Sequence, residues 1–200
     1  MMAPGSGEHT MSDKSRKSAT STPLVTPADA LEYRQLIERL AMGGVNQRIP
    51  NGVPLHASIL LEAMFRHAKA DIRIFTGVLS EKTYDYQGLI VAARRFLSRP
   101  GSRLKILLQK PQSKAQLEQR QLIRVLTDVG ENRGDLDVRC AQGVYATEAA
   151  KHFAVMDEQG FRFEIDHENT RAIANFNEPD LAAELTLTFD RAFSLGAELV

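Results

Sequence analysis

The run from Lys151 to Asp166, Lys-His-Phe-Ala-Val-Met-Asp-Glu-Gln-Gly-Phe-Arg-Phe-Glu-Ile-Asp, constrains this chain more than any other stretch. It is followed by Thr170-Arg-Ala-Ile-Ala-Asn-Phe-Asn177. Phe153 and Val155 fall on one side of an extended chain, and His152, Ala154 and Met156 on the other. Phe161, Phe163 and Ile165 alternate with Arg162 and Glu164. A period of two is what a half-buried strand requires. Asp157-Glu158-Gln159-Gly160 supplies a turn, with the glycine available for a positive φ. Two strands, a tight turn and a third strand make a meander, which the upstream segments must flank.

Those segments alternate between two periodicities. Thr26-Pro27-Ala28-Asp29 is a helix start, with Thr as cap and Pro at the first helical position. Leu31, Leu36, Ile37 and Leu40 form its apolar stripe, and Gly43-Gly44 ends it. Val45 to Pro54 reads as a loop. A second amphipathic helix spans Leu55 to Lys69, with Ile59, Leu60, Ala63 and Met64 at three and four spacing. Asp71 to Gly77 is a strand, Tyr86 to Leu97 a helix capped by Asp85, and Leu104 to Leu108 an almost continuously apolar central strand. Ser113-Lys-Ala-Gln116 is a capping box opening a helix that ends near Gly130. Leu136 to Cys140 is a third strand, and the meander follows. A last helix, capped by Asn177, carries Leu181, Leu185, Phe189 and Phe193. Strands alternating with crossover helices argue an α/β fold: a mainly parallel mixed sheet flanked by helices, with an antiparallel portion from the meander and an N-terminal helical extension. The divisions expected are a disordered tail (1–25), an N-terminal helix and linker (26–54) and the α/β domain (55–200).

Composition narrows the classes. Lys+Arg and Asp+Glu are equal at 25 each, so no global field recruits nucleic acid or anionic lipid. One cysteine, Cys140, excludes an internal disulfide. No apolar run reaches the roughly 18 residues of a membrane helix. The expectation is a cytoplasmic protein without membrane contact, cofactor or metal.

The order of elements and the meander's residues resemble one half of the phospholipase D superfamily. That unit carries His-x-Lys, four spacers and Asp on one strand, then a hairpin partner and a Gly-Ser-x-Asn strand. Here His152-Phe-Ala-Val-Met-Asp157 stands where Lys, four spacers and Asp belong, and Ala172-Ile-Ala-Asn175-Phe176 where Gly-Ser-x-Asn-Phe belongs. The resemblance implies a nucleophilic histidine at position 150 and a phosphate-binding lysine at 152. This chain has Ala150 and His152 instead. Alanine offers no lone pair, which blocks a covalent phosphohistidine at that position. The remnant pocket comprises Ala150, Lys151, His152, Asp157, Glu164, His167 and Asn175. Within it His152, oriented by Asp157 or Glu164, is the candidate for a rebuilt general base. Asp166-His167-Glu168 is a weak metal triplet, because neighbours on a strand point to opposite faces. The family's sites form between two halves, so a homodimer through the motif face is implied.

Three functional readings follow. The first is a catalytically inactive, dimeric interaction or scaffold module with an unknown protein partner. The second is a nucleic-acid-binding module using Arg94, Arg95, Arg99, Arg103 and Lys105 as a phosphate-binding patch. The third is a phosphodiesterase or nuclease with a rebuilt site.

Overall fold

The computed structural model describes residues 27–130, 133–166 and 171–200. The tail, the Thr26 cap, His167 and Glu168 lie outside the described residues. In chain order the elements are α1 (Pro27–Gly43), β1 (Ile49–Asn51), α2 (Pro54–His67), β2 (Asp71–Thr76), α3 (Glu81–Tyr84), α4 (Gln87–Leu97), β3 (Arg103–Leu108), α5 (Lys114–Glu118), α6 (Gln121–Thr127), β4 (Asp135–Cys140), β5 (Phe153–Met156), β6 (Gly160–Asp166), β7 (Arg171–Asn175), α7 (Pro179–Ser194) and β8 (Ala197–Glu198).

One eight-stranded sheet runs in the order β1-β7-β6-β5-β2-β3-β4-β8. The mixed sheet flanked by helices is therefore as the pattern indicates. Its parallel part is confined to β2, β3 and β4. The meander joins it antiparallel through β5 against β2. Two edge strands add further antiparallel pairings: β1, inside the segment read as a loop, pairs with β7, and β8 pairs with β4. Strands of three and two residues carry too little alternation to signal themselves.

The period-two reading of β5 holds residue by residue. Ala154 and Met156 enter the core under α1, α2, α4 and α6. Phe153 and Val155 enter the smaller core under α7, against Phe189 and Phe193. The helices depart from simple amphipathicity in two places. In α2 every residue from Ala57 to Phe65 is buried, because the helix is walled by the sheet, α1 and α4 at once. Ser58 survives there by donating to the carbonyls of Pro54 (3.0 Å) and Thr83 (2.8 Å). In α1, Ile37 and Leu40 are buried and Tyr33 stacks on His56 of α2 at 3.8 Å, but Leu31 is exposed.

The turn after β5 differs from the expectation. The left-handed backbone falls on Asp157 (φ 49°) and Glu158 (φ 55°), not on Gly160. Aspartate is among the residues that tolerate this region, and the Asp157 carboxylate is held by the backbone N–H groups of residues 69–71. Gly160 serves another need: it opens β6 against β7, where a Cβ would press on the Asn175 carbonyl at 3.1 Å. Ser113 and Gln116 form the capping box with both reciprocal bonds, but its helix breaks into α5 and α6 at Gln119-Arg120.

Candidate binding site

The carboxyl ends of β2 and β3 open on one pole of the sheet, where β5 begins. Clefts outside the carboxyl ends of parallel strands are the usual ligand sites of α/β folds. Here a cleft of about 550 Å³ is lined by residues that include Thr76, Gly77, Lys82, Tyr84, Lys110, His152, Arg162 and Glu164.

His152 sits immediately before β5 and is 5% exposed, so its ring is fixed rather than mobile. Its Nδ1 faces Glu164 Oε2 at 3.1 Å and its Nε2 faces Gln109 Oε1 at 3.1 Å. Glu164 lies directly across the β5–β6 ladder, where its backbone N–H donates to the His152 carbonyl. Two residues along the same strand face, Arg162 donates to Glu164 Oε1 at 3.0 Å. Gln109 is held in turn by donating to the Thr147 carbonyl. Gly77 makes room for the imidazole: a Cβ there would stand 3.0 Å from His152 Cε1.

Arg162 is 8% exposed, yet its Nε has no hydrogen-bond partner among the described residues. Burial raises the Tyr84 phenol above its ordinary value, opposed by a hydrogen bond to Thr76 and by the Arg162 charge. Exposed Lys110, and Lys82 on α3, add two more cations at the mouth. The pole thus gathers four nitrogen-bearing side chains around one carboxylate, a composition suited to an anion.

The remaining sites predicted from sequence are distributed unevenly. Ala150 is half-buried against the core under α7, and Lys151 is exposed beside His152. Asp157 and Asn175 are not in the cleft. Five extended residues separate Asp157 from His152, about 16 Å along the strand. Asp157 caps the opposite pole, where its carboxylate accepts from the backbone N–H groups of Lys69, Ala70 (2.9 Å) and Asp71 (2.8 Å). Asn175 ends a strand antiparallel to β6, so it also falls at that opposite pole. Its Nδ2 donates to Asn46 Oδ1 (2.7 Å) and Glu178 Oε2 (2.8 Å), and its Oδ1 accepts from Asn177 N at 3.0 Å. Asp157 therefore cannot orient His152, whereas Glu164 does.

The expected arginine patch is split by the sheet. Arg94 and Arg95 are exposed on α4. Arg99 donates to the Ala68 carbonyl and lies over Phe96 at 4.9 Å. Arg103 and Lys105 alternate with Leu104 and Ile106, so they project to the α7 side. There Arg103 pairs with Asp71 at 2.6 Å, and Lys105 lies 4.0 Å from Asp190 and over Phe193. Sequence reasoning missed Arg162, Gln109 and Lys82. Arg162 had a visible signal, a charge on the same strand face as Glu164.

Among the described residues no helix is long and apolar enough to cross a membrane. A family model described as a domain of unknown function (DUF7931) matches residues 55–198. No curated protein matches the chain. Solved structures do. NucT from Helicobacter pylori superposes with a TM-score of 0.52 at 9% identity, covering 78% of this chain and 100% of that one. TrmBL2, described as an archaeal chromatin protein with a novel mode of DNA binding, gives 0.53 at 16% identity, over 86% of this chain and 63% of its own. Nuc from Salmonella typhimurium, described as a phospholipase D family member, gives 0.48 at 15% identity, over 77% and 97%. These likenesses are of fold alone.

Proposed function

The chain belongs to the DUF7931 family, and from that premise we propose that it is a phospholipase D-like domain that works by binding through its cleft rather than by turnover. The observation that carries this reading is His152. Attack on phosphorus needs a nitrogen lone pair aimed at the substrate. Here both ring nitrogens are engaged, by Glu164 and Gln109. The position that would supply the family's nucleophile is Ala150. What the motif strand retains is an anchored imidazole beside Arg162, with Lys82 and Lys110 at the mouth. Such a set holds an anionic group and leaves it intact.

The same pole supports self-association. Val144 is 74% exposed and Ile165 is 50% exposed, on segments bordering the cleft. A twofold contact covering them would set two clefts side by side in a homodimeric scaffold for a protein partner. A nucleic-acid ligand is the second reading. It is favoured by the cations of the cleft and by the description of TrmBL2, a similar fold, as a chromatin protein that binds DNA.

Four measurements decide. Inorganic phosphate titrated by calorimetry binds the wild type, and Lys110→Ala weakens it about fivefold with no change in melting temperature. A chromogenic phosphodiester is not hydrolysed above the blank. Turnover lost in His152→Ala would instead establish the enzyme. Light scattering gives a dimer that Ile165→Lys dissociates. Retention of a single-stranded oligonucleotide, with affinity falling steeply with salt, selects the nucleic-acid reading.

A further inference from the structure

A second concavity lies away from the motif pole, between α2 and α4. It encloses about 490 Å³, inside the range of small-molecule sites. Its walls come from two helices packed closely together, so it is formed in advance and rigid. Phe65, Phe96 and Ala92 make the base, each less than 5% exposed. Val91, 41% exposed, adds apolar surface at the rim. Gly88 is required where the helices approach: any Cβ would overlap the Glu62 carboxylate.

Charge around the groove is one-sided. Arg66, Arg95 and Arg99 line it, against the single carboxylate of Glu62. Glu62 Oε1 accepts from Arg34 at 2.7 Å behind the groove, and its Oε2, beside Gly88, is buried without a hydrogen-bond partner among the described residues. Arg66 stands 3.6 Å from the same oxygen and 3.7 Å from Glu38, half-exposed and loosely held. Arg95 has no ion-pair partner among the described residues. Arg99 is anchored through Nη2 to the Ala68 carbonyl, which fixes its guanidinium at the rim. Three guanidiniums over an apolar base match a ligand with an anionic head and an apolar body.

Nucleic acid fits this groove less well. Sequence-tolerant strand binding uses exposed aromatic faces for stacking. Phe65 and Phe96 are each 1% exposed and offer no open ring face.

We propose that the α2–α4 groove is a binding site for a small amphiphilic organic anion, a phosphate ester or carboxylate on a short apolar chain. Arg95 and Arg66 hold the head group, and Val91 and Ala92 contact the chain.

Octyl phosphate, kept below its micelle concentration, is the probe, with octylammonium and free phosphate as controls. Chemical-shift mapping on the isotope-labelled full chain reads the location. Octyl phosphate is expected to shift residues of α2 and α4, and octylammonium to leave them unmoved. Arg95→Ala should weaken binding about tenfold, as loss of a charge-assisted contact does, with an unchanged melting temperature. Val91→Asp should abolish it. Shifts confined to Lys82, Lys110 and His152 would overturn the proposal and assign the anion to the motif pole. Equal binding of octylammonium, or an unaffected Arg95→Ala, would also overturn it.

Discussion

The two poles of the sheet use similar residues to opposite ends. At the amino ends of β2 and β3, Asp157 and Asn175 face inward onto backbone groups and neighbouring loops, and each is consumed by structure. At the carboxyl ends, His152, Glu164 and Arg162 face a cleft, and Arg162 Nε is left without a partner among the described residues. One strand, β5, links both, with a turn-fixing aspartate at its end and an anchored imidazole at its start. Position in a sequence motif therefore says little about chemistry: Asp157 is spent on the backbone of residues 69–71, at the far end of β5 from His152.

The comparison breaks most sharply at Asp157. Its carboxylate serves three consecutive N–H groups that open β2 and occupies a left-handed backbone. Asp157→Ala removes the acceptor and strains the turn, and should cost about 3 kcal/mol in denaturant unfolding. Asp157→Asn should cost about half of that. Its amide oxygen can still take the Ala70 and Asp71 bonds, and asparagine tolerates the left-handed region. Neither change should alter phosphate binding at the other pole. A loss of phosphate affinity without a loss of stability would mean that the two poles are coupled.

Asn175 is the second test. It is 1% exposed and makes three hydrogen bonds that tie β7 to the segment before β1 and to the start of α7. Asn175→Ala should cost about 2 kcal/mol, most of it from Glu178, Asn46 and the Asn177 N–H losing a shared partner. Asn175→Asp would place a second carboxylate against Glu178 and should do worse at neutral pH than at acid pH. An Asn175→Ala protein of full stability that no longer binds phosphate would move this residue into the functional pole.

How much of this was legible in the sequence follows from the range of the interactions. Strand periodicity at Phe153, Val155 and Phe161 is local, and it located the meander and its two faces correctly. The capping box at Ser113 is local too. β1 escaped notice because its three residues are held by β7, more than 120 positions away. The continuous burial of α2 comes from three neighbours that no single stretch encodes. At the site, His152 and Glu164 were readable because twelve residues and one turn bring them opposite each other. Gln109 was not, since it reaches His152 from the end of β3. The arginine cluster misled for the converse reason: Arg94 and Arg103 are close in sequence but lie on opposite faces of the sheet.

The smallest expected effect concerns acid. Glu178 caps the start of α7 and accepts from Arg48 and Asn175, and these bonds hold its carboxyl below the ordinary 4.5. Arg48 contributes most of that shift, with burial working against it. A carboxyl depressed in the folded state contributes stability that is present above its unfolded value. That contribution is lost as pH falls through the folded value. Unfolding midpoints should therefore be flat from pH 7 to about 5 on account of this group, and decline below about 4.5. Arg48→Ala should flatten the decline and leave the midpoint at neutral pH only slightly lower, because Arg48 is largely exposed and screened. Asn175→Ala, which removes a weaker support of the same carboxylate, should flatten it less while lowering the whole curve. If Arg48→Ala instead leaves the acid limb unchanged, the Arg48–Glu178 pair is not its source.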